Sequence, residues 1–305
     1  MFINTPDNYS SMWGELPFEY NTTDDTDIVV NIYDAGSDEL LGVKKFYSST
    51  TAKLDLAPLL FDSMLPVVSA EDEGEVATPT FGFPHIRLEA EESATADLTF
   101  TYATSKVEPP LLLTTMPCER LLYSDERDVV VVIAPAGSAL SYSLCAEPRD
   151  QSASTLSKSG VMASDGGVRS YTLMASDYCI DYTLLTLSFF CDGDLIGEVS
   201  YNLIDSAASG YRLAWISSMG SIEHYTFPTV VDRVRMSDGS TKLNLRSAYG
   251  LEQEVVALSE IVGAARVWSA TLEEGYSSVE VTTEEQYIRQ DGALMVANIQ
   301  IKENG

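Results

Sequence analysis

Two histidines, His85 and His224, are all the imidazole this chain has. A hydroxyl or thiol nucleophile needs a base beside it, and imidazole is the usual base, so a triad would have to be built on one of them. His85 follows Pro84 in FGFPHIRLEA and reads as a partly exposed residue at a strand start. His224 sits in IEHYTF between Glu223 and Tyr225. No GxSxG elbow accompanies either histidine. Neither HExxH nor a His/Cys cluster with zinc-ligand spacing occurs. Paired carboxylates can hydrolyse glycosides, but among 46 acidic residues every such pair is cheap to find and singles out no site. Asp192–Asp194, DGD, starts like a calcium loop, lacks the downstream ligands, and reads as a hairpin tip. No GxxxxGK[ST] and no strand-GxGxxG-helix fingerprint is present. The expectation is a protein that is not an enzyme and carries no catalytic residue, cofactor or metal.

The formal charge of -28 excludes more than any motif does. Such a surface repels phosphate backbones and anionic bilayers, so nucleic acid is not an expected partner. Lys44-Lys45 and Arg233/Arg235 are isolated basic pairs, too few for a phosphate-binding patch. The acidic patches EDEGE (Glu71–Glu75) and EAEE (Glu89–Glu92) read as solvated loops and strand edges that keep the chain soluble. The alternative is a weak divalent-cation site or a cation-dependent contact between copies. The N-terminal MFINTPDNYSSMWGELPFEY has neither the basic nor the apolar region of a signal peptide. No apolar run approaches the roughly 18 residues that span a bilayer, so membrane insertion is not expected. Cys118, Cys145, Cys179 and Cys191 show no CxxC spacing and read as buried thiols, with a Cys179–Cys191 pair across neighbouring strands left open.

The elements that would position any site are overwhelmingly strands. DIVVNIYD (Asp27–Asp34) alternates, AGSDELLG turns the chain, and VKKFYS (Val43–Ser48) returns. Lys53–Leu56 reads as a short strand, and Pro58 opens a helix of about two turns. Pro109-Pro110 marks a boundary, after which DVVVVIAP, ALSYSLCAE and VRSYTLMA continue the β pattern. TLLTLSFFCDGDLIGEVSYNLI (Thr183–Ile204) is a hairpin whose Asp192-Gly193 can take the positive φ angles of a tight turn. LEQEVVALSEIV (Leu251–Val262) is the second helix, with Leu251, Val255, Leu258 and Val262 on its apolar stripe. In ALMVANIQIK, Met295, Ala297, Ile299 and Ile301 form one apolar face of a strand that reads as a sheet edge wanting a partner. The expected fold is mainly β, a multi-domain β-sandwich-like architecture with one or two short helices. Its domains are an N-terminal β domain (1–105), a middle β domain (106–210) and a C-terminal β domain (211–305) with an aromatic hairpin and one helix.

That hairpin, RLAWISSMGSIEHYTFP, is the densest cluster of distinctive side chains. Leu213 and Trp215 share one face of its first strand, and Glu223, Tyr225 and Phe227 one face of its second. Gly220 can take the left-handed conformation that closes the loop. So aromatic a hairpin must bury itself, either in a core or against another molecule. Its pattern L-x-W-[IL]-x-x-x-G-x-x-[ED]-x-[YF]-x-F, on Leu213, Trp215, Ile216, Gly220, Glu223, Tyr225 and Phe227, resembles a stretch of virion structural proteins of tailed phages and prophages of gut bacteria. VVNIYDAGSDELLGVKKFY…KLDLAPLL and VEVTT…DGALMVANIQIK are similar to the opening and closing parts of such proteins. The usual Asn after the Trp-aliphatic pair is Ser217 here. The resemblance implies an assembly role in the tail or tail tip, distal-tail or baseplate-like. The partners would be further copies of the chain, as a ring or other homo-oligomer, and other virion proteins. It implies a virion location, with assembly in the host bacterial cytoplasm. The hairpin residues Trp215, Gly220, Glu223, Tyr225 and Phe227 would then serve assembly or the core. Two other readings stand beside it: a carbohydrate- or receptor-binding β-sandwich module, and a carboxylate-dependent glycoside hydrolase.

Overall fold

The computed structural model describes residues 1–64, 68, 75–79, 81–90, 94–150, 154–271, 275–283, 287–291 and 293–303. The chain is mainly β, and its described residues form four sheets and two short α-helices, Ala57–Ser63 and Glu252–Ser259. It divides into two compact units, Met1–Val67 with Thr80–Glu108 and Ser218–Gly220, and Val68–Pro79 with Pro109–Ser217 and Ser221–Gly305.

The first unit is built on a long hairpin, Pro17–Asp34 against Leu40–Asp55. Both strands outrun the alternating stretches that announce them. The pairing lapses after Asn21 in the polar TTDDTD and resumes at Thr26, and Lys53–Asp55 is the end of the second strand rather than a separate one. Ile28, Val30 and Ile32 are fully buried, on the face that alternation assigns to the core. Asp34 Oδ1 accepts the Gly36 N–H at 2.7 Å, which turns the chain between the strands. His85–Ala90 pairs with Val30–Asp34 and then with Ala94–Thr101. The helix starts with Pro58 in its first turn, where no N–H is needed. Of the acidic patches, Glu89 binds Arg87 Nε at 3.0 Å, and Glu91 and Glu92 lie outside the described residues.

In the second unit, two sheets face each other. One has the order Val76–Ala77, Gly167–Met174, Arg127–Ala134, Leu111–Leu113; the other Leu156–Ala163, Leu140–Pro148, Tyr182–Cys191, Asp194–Ile204, Glu119–Tyr123. Val130, Val132, Tyr171 and Leu173 of the first meet Leu144, Leu187, Phe189 and Tyr201 of the second in one core, which makes this part a β-sandwich. Every residue of Arg127–Ala134 is buried, as expected of a central strand covered on both faces. Asp192 (φ 51°) and Gly193 (φ 92°) close the Tyr182–Ile204 hairpin with the predicted positive angles. All four cysteines are free. Cys118 and Cys145 are exposed, contrary to expectation, because they fall on outward positions of their segments. Cys179 and Cys191 are buried and unpaired: Cys191 ends the Tyr182–Cys191 strand, and Cys179 lies in the turn that precedes its start. Glu75 is no free surface charge: it accepts from Lys158 and from the Tyr171 hydroxyl (2.7 Å). Glu71 to Gly74 of that patch lie outside the described residues.

The rest of the unit is one strongly curled sheet. Its order is Ile222–Phe227, Tyr211–Ile216, Val267–Thr271, Gly275–Val281, Leu294–Glu303, Thr241–Arg246, Thr229–Arg235, with Tyr287–Asp291 also on Leu294–Glu303. The two end strands of that order, Ile222–Phe227 and Thr229–Arg235, are separated in sequence by Pro228 alone, so the sheet must curl back towards its own beginning. Leu294–Glu303 is therefore not the expected edge; it has neighbours on both sides. Its apolar face is as expected, with Ala297, Ile299 and Ile301 fully buried. The helix stripe needs correction. Leu251 is 65% exposed because it precedes the first turn, and after Ser259 the helix tightens to a 3-10 turn, Glu260–Gly263. Three residues per turn bring Ile261, rather than Val262, under Leu258 and into the core.

Candidate functional site

The aromatic hairpin forms as its pattern demands, Tyr211–Ile216 against Ile222–Phe227, with Trp215 opposite Glu223 and Leu213 opposite Tyr225. Directly opposed residues share a face, so Trp215, Glu223, Tyr225 and Phe227 lie together. Trp215 and Phe227 are fully buried in the core of the curled sheet, beside Leu243, Leu258 and Ile299. Tyr225 packs edge-on against Phe227 at 5.0 Å, and its hydroxyl accepts the Ala248 N–H at 3.1 Å. Gly220 holds the turn at φ 78°.

Glu223 and His224 also enter a cluster of buried charges that the sequence does not announce. Arg120, on the Glu119–Tyr123 strand, is its centre. One guanidinium nitrogen donates to Asp128 Oδ2 at 2.7 Å, the other to Glu223 Oε2 at 3.3 Å and to the Thr114 hydroxyl, and Nε donates to the Pro117 carbonyl at 3.0 Å. Asp128 also accepts from the Tyr201 hydroxyl at 2.8 Å. Its other oxygen stands 3.1 Å from His224 Nδ1, an approach bent away from good hydrogen-bond geometry. His224 Nε2 meets the Tyr276 hydroxyl at 2.8 Å, and the Arg127 guanidinium lies 4.5 Å above that tyrosine ring. A second pair continues the chain: Arg212 reaches Glu126 Oε1 at 3.2 Å and the Arg127 carbonyl at 2.6 Å. Thr115 joins Glu223 and Glu260, through its N–H and its hydroxyl at 2.9 and 3.0 Å.

Electrostatics decides the protonation states. Burial would raise the Asp128 carboxyl, but Arg120, His224 and Arg212 overcome it and hold the group well below the usual carboxylate range. Burial likewise would lower Arg120, and Asp128 and Glu223 raise it instead. Glu223 goes the other way: burial raises it and Arg120 only partly offsets this. Burial, helped by Arg212, pushes His224 down to about 4, so its ring is neutral at pH 7. Asp128 beside Nδ1 fixes the proton there, leaving Nε2 to accept from Tyr276, itself raised by burial to about 12. The imidazole has 0% side-chain exposure, with Tyr276 bonded at Nε2 and Asp128 close to Nδ1, so the arrangement clamps strands together. Among the described residues no group of three or more His, Cys, Asp or Glu side chains is placed to hold a metal ion. No helix among them is long and apolar enough to cross a membrane.

The solvent side of the cluster opens into a cleft of about 360 Å³, lined by Tyr123, Asn202, Arg212, Tyr225, Tyr249 and Glu254 among others. Tyr249 is 58% exposed at its rim. No family model matches the chain, and no curated protein does. Among solved structures the chain is similar, at 10% identity, to the tetra-tandem repeat in the extending region of a large adhesion protein, with 81% of this chain and 68% of that one covered and a TM-score of 0.24. It is similar at 10% identity to Dpr2 Ig1-Ig2 in complex with DIP-Theta Ig1-Ig3, over 68% of this chain and 99% of that one, TM-score 0.19. A third likeness, at 11%, is to the calcium binding domain CBD12 of CALX1.1, over 58% and 72%, TM-score 0.17.

Of the residues singled out by sequence, His85 is half-exposed and paired with Asp97. Arg120, Glu126, Asp128, Arg212 and Tyr276 belong to no sequence motif. The one local signal was SDERD running straight into VVVV, charges adjoining a fully buried strand rather than ending in a turn.

Proposed function

We propose that this protein is a structural assembly component of a phage virion, in the tail or tail tip, acting through subunit–subunit contacts. The observation that carries the reading is the outer strand of the curled sheet. Thr229–Arg235 is exposed at all seven residues and, among the described residues, bonded to a neighbour on one side only, with Val230, Val231 and Val234 in the open. A monomer ordinarily covers or shortens such an edge; a subunit keeps it for its neighbour. The hairpin resemblance supports the same reading. In it, Trp215, Phe227 and the charge cluster stiffen the strand that leads into this edge, and contact with other copies is made elsewhere. Light scattering and negative-stain imaging of the purified protein, with and without calcium, test it: closed rings or another defined oligomer are expected. A species that stays monomeric at every concentration, and does not join other virion proteins, would sink it.

A second reading, a carbohydrate- or receptor-binding module, is favoured by the cleft, which Tyr123, Tyr225 and Tyr249 line together with Asn202 and Glu254. It predicts a glycan hit that Tyr249→Ala removes without changing the mass of the particle.

A further inference from the structure

We infer that the Thr229–Arg235 edge takes one specific occupant, the acidic Thr22–Asp27 edge of a second copy of this chain. The inference rests on the assembly reading above and names its contact surfaces. The hairpin from Thr229 to Arg246 carries Arg233, Arg235, Lys242 and Arg246 against Asp232 and Asp238, a net positive segment in a chain of charge -28. Its edge is not indiscriminately adhesive. The irregularity at Val231 and the two arginines on the outer strand discourage apolar strands, so an occupant must answer positive charge.

Pairing this edge with itself is disfavoured. An antiparallel pair related by a two-fold axis centres on one residue facing its own copy, and the central positions here are Asp232 and Arg233, which would meet like charges. The contact is therefore between different surfaces, the kind that generates rings or filaments rather than dimers. The chain supplies a matching surface. Pro17–Asp34 pairs on one side with Phe2–Asn4 through Glu19 and Tyr20, and with His85–Ala90 through Val30–Asp34. Between those two neighbours, among the described residues, Thr22–Asp27 has only Leu40–Asp55 beside it, paired through Thr26. Thr23 to Asp27 are exposed, and Asp24 and Asp25 give that edge two carboxylates where the outer strand brings two guanidiniums, while Asp27 Oδ1 accepts the Ser48 N–H at 3.0 Å.

Charge reversal in both partners tests this. Arg233→Glu/Arg235→Glu alters only exposed side chains, so folding, checked by the urea midpoint, stays as in the parent. Sedimentation should show self-association weakened by roughly tenfold or more in this variant, and likewise in Asp24→Lys/Asp25→Lys. An equimolar mixture of the two should assemble again, since each variant's altered edge then meets its opposite charge. Parent-like assembly by the arginine variant overturns the inference and leaves the assembly reading intact. Loss of assembly in both variants without recovery in the mixture overturns Thr22–Asp27 as the occupant. A parent chain that never self-associates overturns the inference together with the homo-oligomer it rests on.

Discussion

At the scale of single residues, the buried charges show how a site can be both conspicuous in space and silent in sequence. Arg120 meets Glu223 across more than a hundred residues of chain, and neither carries a local signal for the other. His224 was legible as a hairpin residue on the opposite face from Glu223; its neutral state was not, because that depends on Asp128, Arg127, Arg212 and Tyr276 from other strands. One consequence is measurable. With a folded value near 4 against an ordinary 6.5, the unfolded chain binds a proton between those limits that the folded chain refuses. Stability contributed by neutral His224 is thus complete above pH 6.5 and is lost as pH falls from there towards 4, by about 3 kcal/mol in all. His224→Gln should flatten this part of the urea-midpoint profile by about one proton while the carboxylate-driven loss at lower pH stays. An unchanged slope would mean that the imidazole is protonated in the fold.

At the scale of elements, what could be read from the sequence was whatever a short window decides. Asp192-Gly193 fixed one hairpin through its turn, and Ile28, Val30 and Ile32 fixed a face through alternation. What could not be read was pairing at a distance. Leu294–Glu303 looks like an edge strand in isolation and is interior only because Thr241–Arg246, Gly275–Val281 and Tyr287–Asp291 come to it. The aromatic hairpin could be seen to require burial, but whether by its own chain or by another was a question only the fold answers: Trp215 is in the core. Trp215→Ala should accordingly cost about 3–5 kcal/mol of unfolding free energy. Trp215→Phe should cost only about 2 kcal/mol, because the indole N–H is buried without an acceptor and its removal relieves a penalty. Equal losses in the two variants, read from denaturant midpoints, would contradict this account of the indole.

For the whole molecule, charge is the governing quantity. With 46 acidic and 18 basic residues, the folded chain repels itself, and the expanded unfolded chain does so less. Raising ionic strength from about 10 to about 150 mM should therefore raise the thermal midpoint by a few degrees. A fall would show that surface ion pairs such as Lys53–Glu19 and Lys106–Asp7 outweigh the net repulsion. The single residue between the two end strands of the curled sheet has a mechanical meaning as well. Tension applied to Thr229–Arg235 by a neighbour passes through Pro228, after one residue, into Ile222–Phe227. That strand is bolted by Glu223 to Arg120 and by His224 to Tyr276, and an N-terminal pull on the outer strand loads those bolts along the strand axis. Under load the molecule should yield by shearing a strand whole rather than unzipping it bond by bond, with the charge cluster as the fuse that sets the breaking force.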